Sequence, residues 1–155
     1  MLTKIISGGQ TGADQGGLEA AISLGIPTGG KMPKGFLTEN GPGPELARKY
    51  NMQELISPEY APRTRYNVVD SDATVIFGKL SSPGSKTTLK MCKNSKRPWL
   101  VIEDFNEFNL ALFKSFIQRY KVNTLNVAGN RESRNHGIQK KVCKFLTEAL
   151  EDEIL

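Results

Sequence analysis

Short apolar runs rich in β-branched residues alternate along the chain with segments whose apolar residues recur at helical spacing. The short runs predict strands, and the longer segments predict helices. The predicted strands are 2–6, 53–56, 73–77, 99–102 and 124–127, with a further extended segment at 26–31. The predicted helices are 13–24, 45–50, 63–71, 86–94, 106–120 and 136–150. Residues 32–44 are rich in Gly, Pro and Asn and are predicted to form a long surface loop.

The alternation of strand, glycine turn and helix is typical of an α/β protein. We therefore expect a Rossmann-like three-layer sandwich with a mainly parallel sheet flanked by helices. A chain of 155 residues lies within the roughly 100–200 residues usual for one domain, and no break in composition divides it. We expect a single Rossmann-like ligand-binding domain over residues 1–155.

The composition excludes several classes of protein. With 38% hydrophobic and 24% charged residues, the chain has the make-up of a globular protein rather than of a disordered or fibrous one. No segment approaches the ~18 consecutive apolar residues of a membrane span. The N-terminus reaches its first glycine turn before an apolar signal core could form. We expect a cytoplasmic protein with no membrane partner.

The charge and the reactive side chains narrow the ligand class. A net charge of +5 suits an anionic ligand, but the Lys and Arg residues are scattered and no aromatic RNA-binding signature accompanies them, so we expect no nucleic-acid partner. Cys92 and Cys143 lack a second Cys or His at metal-ligand spacing, which predicts no metal site. His136 has no evident nucleophile or acid partner, so the sequence assigns no catalytic residue.

The first glycine turn, residues 7–14, follows a strand and opens a helix. Its glycines remove side chains that would keep a ligand from the backbone, while the helix start directs free N–H groups and its positive dipole end outward. Asp14 is a candidate helix cap. We expect a phosphate on the N–H groups of 9–13, and we expect Gly9→Val to abolish binding while leaving the fold intact. The predicted ligand-binding residues here are Gly8, Gly9, Gln10, Thr11 and Gly12.

Two further turns, 82–88 and 126–133, place hydroxyl, amide and cationic donors around small residues. A tight turn with an N-capping Ser explains part of the first of these as well as an anion site does. In the second, Arg131 either binds an anion or pairs with Glu132. Between the glycine turns, Arg63 is the best candidate for a forked contact with phosphate, and Asp72 either caps a local turn or braces Arg63. The predicted ligand-binding residues are Arg63, Asn67, Ser71, Asp72, Gly84, Ser85, Lys86, Thr87, Thr88, Gly129 and Arg131.

The carboxyl ends of parallel strands meet at one edge of a sheet, and open α/β sheets bind ligands where their strand order reverses. The three glycine turns each follow a predicted strand. We therefore expect them to converge on one anion-binding crevice.

Four segments, taken in order, resemble the putative molybdenum carrier family over nearly the whole chain. They are Ser7-Gly8-Gly9-Gln10-Thr11-Gly12-Ala13-Asp14, Pro33-Lys34-Gly35, Tyr60-x-x-Arg63-Thr64-x-x-Asn67-Val68-x-x-Ser71-Asp72-Ala73-Thr74 and Leu125-Asn126-Val127-Ala128-Gly129-x-Arg131-Glu132-Ser133. The resemblance implies a Rossmann-like fold and a carrier or binding protein for molybdenum cofactor. It also implies a homo-oligomer that assembles through exposed helices.

That family is similar to a wider Rossmann-like group that includes the cytokinin-activating phosphoribohydrolases, whose hallmark is P-G-G-x-G-T-x-x-E. Laid on this sequence from Pro83, the hallmark places its acid at Met91. A thioether cannot transfer a proton as a carboxylate does, which weakens the hydrolytic interpretation but leaves a phosphate-binding turn. The acids that could replace it are Glu45, Glu54, Asp70 and Asp72.

These observations leave three functional hypotheses. The first is a cytoplasmic binding or carrier protein whose cofactor is molybdenum cofactor or a nucleotide phosphate, and whose partner is thus a small phosphorylated ligand. The second is a hydrolase of a nucleotide N-glycosidic or phosphoester bond, which a carboxylate facing the crevice would favour. The third is a regulatory module whose association with another protein depends on a nucleotide.

Overall fold

A computed structural model describes residues 1–153 of the protein. The strands are β1 (Lys4–Ser7), β2 (Thr28–Gly29), β3 (Lys31–Met32), β4 (Leu37–Thr38), β5 (Gly41–Pro42), β6 (Gln53–Glu54), β7 (Ala73–Phe77), β8 (Trp99–Ile102) and β9 (Thr124–Gly129). The helices are α1 (Ala13–Leu24), α2 (Glu45–Tyr50), α3 (Tyr60–Val69), α4 (Pro83–Asn94), α5 (Glu107–Arg119) and α6 (Ile138–Leu150). Short 3₁₀ turns cover Glu132–Arg134 and Glu151–Glu153. The predicted alternation is confirmed.

Five strands form one parallel sheet in the order β2-β1-β9-β7-β8. The chain moves outward from β1 to β2, then crosses to β7 and β8 on the other side and returns to insert β9 between the two halves. The strand order therefore reverses around β9. The carboxyl ends of β1, β9 and β7 lie side by side at that point, which is where open α/β sheets bind ligands.

Helices cover both faces of this sheet, which confirms the Rossmann-like three-layer arrangement. Helix α6 packs against α1 and α5, and α3 packs against α4. Because crossovers between parallel strands are right-handed, α1, α5 and α6 lie on one face of the sheet, and α3 and α4 lie on the other. Strand β7 is buried along its whole length. The residues of α6 that face the core are Ile138, Val142, Phe145, Leu146, Ala149 and Leu150.

Segment 32–44 is more ordered than the predicted loop. Strands β4 and β5 pair antiparallel within it, while β3 pairs with β6 in a separate two-stranded sheet. Met32 is fully buried in a second apolar cluster with residues of α1 and α2. This packing holds Glu39 beside the first and third glycine turns.

Helix boundaries shift where local capping chemistry decides them. Helix α4 begins at Pro83 rather than at 86, because the Ser82 hydroxyl accepts a hydrogen bond from the Ser85 N–H and Pro83 occupies the first helical position. None of the helices within residues 1–153 is long and apolar enough to cross a membrane.

Candidate anion-binding site

A cavity of about 230 Å³ opens at the carboxyl ends of β1, β7 and β9. The three glycine turns form its walls together with the first turns of α3, so the predicted convergence on one crevice is present in the fold. The residues that line it are Gln10, Asp14, Tyr60, Arg63, Thr64, Ser82, Pro83, Gly84, Thr87, Thr88, Ala128, Gly129, Arg131 and Arg134.

The cavity carries an excess of positive charge. Arg63, Arg131 and Arg134 line it, and Asp14 is the one acid among the lining residues. Two of the guanidiniums lie over the Tyr60 ring, whose centroid is 5.3 Å from Arg63 Cζ and 5.6 Å from Arg131 Cζ. Stacking on an aromatic face limits where a guanidinium can move. The arrangement favours an anion with several acceptor oxygens.

Gln10 lines this cavity and carries an unpartnered donor. Its Oε1 accepts hydrogen bonds from the Thr11 N–H at 3.1 Å and the Glu39 N–H at 2.8 Å, which fixes the orientation of the amide. Its Nε2 is buried and has no protein partner within the described residues. Only 5% of the residue is exposed, so bulk water does not readily replace the missing partner. A buried unsatisfied donor costs about 1–3 kcal/mol. An acceptor on a ligand would remove that cost.

Arg63 presents a second unused donor. Its Nη1 is 3.2 Å from Asp14 Oδ2, while its buried Nε has no partner among residues 1–153. The guanidinium lies directly over Gly8, where a Cβ atom would clash with it. Gly8 therefore makes room for Arg63, and the salt bridge with Asp14 fixes the end of the side chain.

Asp14 is a buried carboxylate with two partners. Its Oδ2 accepts from the Gln10 N–H at 3.1 Å and from Arg63. Burial raises the pKa of Asp14 above its ordinary value, and this effect outweighs the lowering by Arg63 and by the Gln10 N–H. The expectation that Asp14 caps the helix is wrong, because the residue before α1 is Gly12 and no side chain caps it.

The N–H groups at the start of α1, where the sequence predicts a phosphate, already have partners in this structure. Each of the five N–H groups of 9–13 donates to a protein acceptor. The pairs are Gly9 to Ser7 Oγ, Gln10 to Asp14 Oδ2, Thr11 to Gln10 Oε1, Gly12 to Gln139 Oε1 and Ala13 to the Asn130 carbonyl. An anion there would have to displace these bonds, so the helix start offers no ready donors.

The glycines of the first turn allow protein segments to approach one another. A Cβ at Gly9 would lie 2.6 Å from Met32 Sδ, and Gly9 has a φ of +70°. Gly12 has a φ of +82° and packs against the backbone of the third turn at the Asn130 carbonyl. Neither glycine lines the cavity. In this structure they clear space for Met32 and for the third turn, and a role for them in ligand binding stays a prediction.

Glu39 joins the first and third turns and was not identified from the sequence. Its Oε2 accepts from the Thr11 hydroxyl at 2.5 Å and from the Ser133 N–H at 3.5 Å. Burial raises the pKa of Glu39, but the hydrogen bonds from Ser133 and Thr11 outweigh it and leave the pKa below its ordinary value. The Thr11 hydroxyl also accepts from the Glu132 N–H at 3.2 Å, so it serves this network rather than the cavity.

The second turn contributes the start of α4. Gly84, Thr87 and Thr88 line the cavity, and a Cβ at Gly84 would meet no atom within 4 Å. Ser85 instead turns inward and accepts from Asn130 Nδ2 at 3.2 Å. Lys86 lines a different surface depression, so the structure does not bring it to the site.

The third turn is organised around Asn130. This buried side chain accepts from the Lys79 N–H at 2.7 Å and donates to the Ser82 hydroxyl at 3.0 Å, linking the turns that follow β7 and β9. Gly129 and Arg131, which the sequence predicts as ligand-binding residues, line the cavity. Arg134 also lines it, although the sequence analysis did not predict it. Arg134 ends a short 3₁₀ turn that no sequence pattern indicated.

Three further predicted residues lie away from the cavity. Asn67 holds β3 to α3 by bonding both the N–H and the C=O of Lys31, at 2.8 and 3.1 Å. The Ser71 hydroxyl donates to the Val68 carbonyl. Asp72 accepts from the N–H groups of Asn123 and Thr124, at the opposite edge of the sheet. These side chains fasten elements together.

The acid position of the hydrolase motif falls outside the cavity, although the turn that begins the motif lines it. Met91 lies on α4 but does not line the cavity, and neither do the acids proposed to replace it, Glu45, Glu54, Asp70 and Asp72. The carboxylate that lines the cavity is instead Asp14. Within residues 1–153, no group of three or more His, Cys, Asp or Glu side chains is placed to hold a metal ion.

Comparison with known proteins agrees with the fold and with the ordered motifs. The sequence profile of the Circularly permutated YpsA SLOG family matches residues 5–150. A 1.45 Å crystal structure named "Putative molybdenum carrier protein", from Syntrophus aciditrophicus SB, is similar to this chain with a TM-score of 0.87 and 37% identity. The alignment covers 96% of this chain and 94% of that one. No curated protein matches. The resemblance inferred from the four segments is confirmed.

Proposed function

This chain belongs to the circularly permutated YpsA SLOG family, and we propose on that basis that it binds or carries a phosphorylated pterin or nucleotide-derived ligand. The phosphate would lie in the three-arginine cavity between the glycine turns. The similar crystal structure is named a molybdenum carrier protein, which makes molybdenum cofactor the first candidate ligand and a nucleotide phosphate the second.

The pair of unpartnered buried donors, Gln10 Nε2 and Arg63 Nε, carries this proposal. Phosphate oxygens are strong acceptors, and hydrogen bonds between charged partners are about twice as strong as neutral ones. A phosphate in the cavity would satisfy both donors and would also face Arg131 and Arg134. The side chains that would hold the phosphate thus come from three separate parts of the chain: the first turn, α3 and the third turn.

The size of the cavity limits what it holds. About 230 Å³ is smaller than the roughly 300–1,000 Å³ of a typical pocket for a whole drug-sized ligand. The phosphate and an adjoining ring would fit, and the remainder of a pterin or nucleotide would extend past the rim. Recognition would rest on the phosphorylated organic part, whose phosphate faces the arginines of the cavity.

Calorimetry with guanosine monophosphate tests the position of the phosphate. Arg131→Ala should weaken binding by about 10- to 100-fold, because a hydrogen bond to a charged group contributes about 1.5–3 kcal/mol. Arg65→Ala is the matched control, since Arg65 is an exposed arginine of α3 outside the cavity. Equal affinities for Arg131→Ala and wild type would contradict the proposed site.

Native mass spectrometry tests the ligand class. Protein purified without added ligand should carry a mass that matches a phosphorylated pterin or nucleotide, and Arg131→Ala should lose it. A co-purifying molecule that lacks a phosphate would exclude this ligand class.

A specific observation favours hydrolysis as the second candidate function. Asp14 lines the cavity, and burial raises its pKa, as in carboxyl groups that act as general acids. In that reaction water would add across the N-glycosidic bond of a nucleoside monophosphate, releasing the base and ribose 5-phosphate. Asp14 would donate a proton to the leaving base.

A base-release assay separates the two functions. The carrier hypothesis predicts no release above background from nucleoside monophosphates. Turnover by wild type that Asp14→Asn abolishes, with binding retained, would replace the carrier by the hydrolase. Release that persists in Asp14→Asn would exclude the proposed role of this carboxylate.

A further inference from the structure

The central sheet ends in two unlike edges. Strand β2 has only two residues, both buried, whereas the opposite edge strand, β8, has the apolar sequence Trp-Leu-Val-Ile. Trp99 is 39% exposed. An edge strand displays unpaired N–H and C=O groups, and soluble proteins usually protect such strands by shortness, charge, proline or a bulge. Residues 99–102 contain none of the protective residue types.

The free hydrogen-bonding groups of β8 can be assigned from its pairing with β7. The Thr74 N–H donates to the Pro98 carbonyl at 3.0 Å, and the Gly78 N–H donates to the Ile102 carbonyl at 2.8 Å. Main-chain groups of a strand point alternately to its two sides. Even-numbered residues of β8 therefore face β7, while Trp99 and Val101 direct their N–H and C=O groups away from the sheet.

The charges that flank β8 are complementary to those of a second, inverted copy. Lys96 and Arg97 precede the strand, and Glu103 and Asp104 follow it. None of the four takes part in a salt bridge within residues 1–153. If a two-fold axis passes through Leu100, Arg97 lies opposite Glu103 and Lys96 lies opposite Asp104 across the axis.

This register also matches the free hydrogen-bonding groups. With Leu100 on the axis, Trp99 of one copy lies opposite Val101 of the other, and both residues have outward-facing N–H and C=O groups. Moving the axis to Val101 would place Glu103 opposite Trp99 and leave Arg97 without an acidic partner. Charge and hydrogen bonding thus select the same register.

We propose that β8 pairs antiparallel with β8 of a second copy of this chain, joining the two five-stranded sheets into one. A closed two-fold contact of this kind buries the β8 edges of both copies at once. It therefore leaves no free β8 edge from which a fibre could grow. The proposal concerns a strand edge rather than the exposed helices that the family resemblance implies. It is independent of the proposed ligand.

Light scattering coupled to gel filtration, over a range of protein concentrations, tests this assembly. Wild type should be a dimer. Arg97→Glu should weaken the dimer about tenfold, because two attractive cross-strand pairs become repulsive. The double variant Arg97→Glu with Glu103→Arg should restore the dimer. Arg119→Glu, an equal charge change at the exposed end of α5, should leave it unaltered. Circular dichroism confirms that each variant is folded.

A monomeric wild type would overturn the proposal. A dimer that Arg97→Glu leaves unchanged would also overturn it, because the contact would then lie elsewhere.

A cysteine at position 100 provides a second test that does not depend on charge. Directly opposed residues in a non-hydrogen-bonded antiparallel pair have Cα atoms about 4.5 Å apart, within the range that a disulfide spans. Leu100→Cys should therefore form a covalent dimer on mild oxidation. Ile22→Cys, an exposed position on α1, is the control and should stay monomeric on a denaturing gel. Failure of Leu100→Cys to cross-link beyond this control would overturn the register.

Discussion

The Gln10 amide illustrates how a single side chain can organise a site. Two backbone N–H groups bind its oxygen, so its nitrogen is left as a buried donor beside a cavity lined by arginines. The Oε1 atom thus holds the turn in place, while the Nε2 donor is left for a ligand. A substitution that keeps the first role and removes the second should separate folding from binding.

Gln10→Glu makes that separation. One carboxylate oxygen still accepts from the Thr11 and Glu39 N–H groups. The other oxygen takes the place of the Nε2 donor, and its negative charge repels the anion. We expect affinity for guanosine monophosphate to fall at least about tenfold, the loss of one charge-assisted hydrogen bond. The thermal midpoint should stay near that of wild type.

Calorimetry and thermal melting measure these two quantities. Gln118→Glu on the exposed face of α5 is the control for the charge change. Unchanged affinity in Gln10→Glu would exclude Nε2 as a ligand donor.

Asp14 should make anion binding depend on pH. Its pKa is raised in the protein, chiefly by burial, so its neutral form persists above the range in which an ordinary aspartate ionises. As pH rises through that pKa, the new negative charge repels an anion in the cavity. Affinity should therefore fall with rising pH.

Sulfate is the suitable probe, because it remains a dianion over the whole range. Its affinity for wild type should decline with pH, and Asp14→Asn should remove the decline. The same slope in wild type and Asp14→Asn would mean that another group titrates.

At the scale of elements, two helix starts that look alike in sequence differ in structure. The N–H groups before α1 all have protein acceptors. At the start of α4, Ser82 provides the cap, and Gly84 borders open space in the cavity wall. Glycine-rich turns therefore predict close approach but do not specify whether the neighbour is a ligand or another part of the protein.

Substitutions at the two glycines should consequently have opposite effects on stability. Gly9→Val places a β-branched side chain against Met32 at a φ of +70°, so it should lower the thermal midpoint in addition to any loss of binding. Gly84→Ala adds a methyl group that meets nothing within 4 Å and should stabilise the protein by about 0.4–1 kcal/mol.

Thermal and urea unfolding of both variants measure this difference. A fully stable Gly9→Val that binds no ligand would reinstate the original expectation for the first turn.

The sequence was sufficient for the elements whose signal is local. β7 was predicted because a buried parallel strand is a largely apolar run rich in β-branched residues, and α6 because its apolar residues follow helical spacing. The acceptors that occupy the first turn could not be predicted in the same way. Gln139 and Asn130 lie more than a hundred residues from that turn in the chain and reach it only through the packing of α6 and β9.

The residues of the site likewise differ in whether a local sequence pattern could predict them. Arg63 and Arg131 were predicted because arginines beside glycine turns suit phosphate, and both line the cavity. Arg134 and Glu39 carry no local signal, so they emerged only from the fold. Asn67 and Asp72 have polar side chains that suit a ligand equally well, but backbone groups of neighbouring strands already bind them.

At the scale of the whole molecule, strand order determines where the chemistry lies. Insertion of β9 between β1 and β7 gathers three turns from distant parts of the chain around one cavity. The same order leaves β8 at the edge of the sheet, apart from the cavity. Ligand binding and assembly would thus use separate surfaces, and the dimer variants of β8 should retain wild-type affinity for guanosine monophosphate.

We propose that an anion binds in the arginine cavity and not at the start of α1. Anomalous diffraction from crystals soaked in molybdate, a heavy oxyanion, locates the site directly. We expect one strong peak in the cavity, within hydrogen-bond distance of Gln10 Nε2 and Arg63 Nε. A peak on the N–H groups of 9–13, or a cavity that stays empty while molybdate binds elsewhere, would contradict the claim.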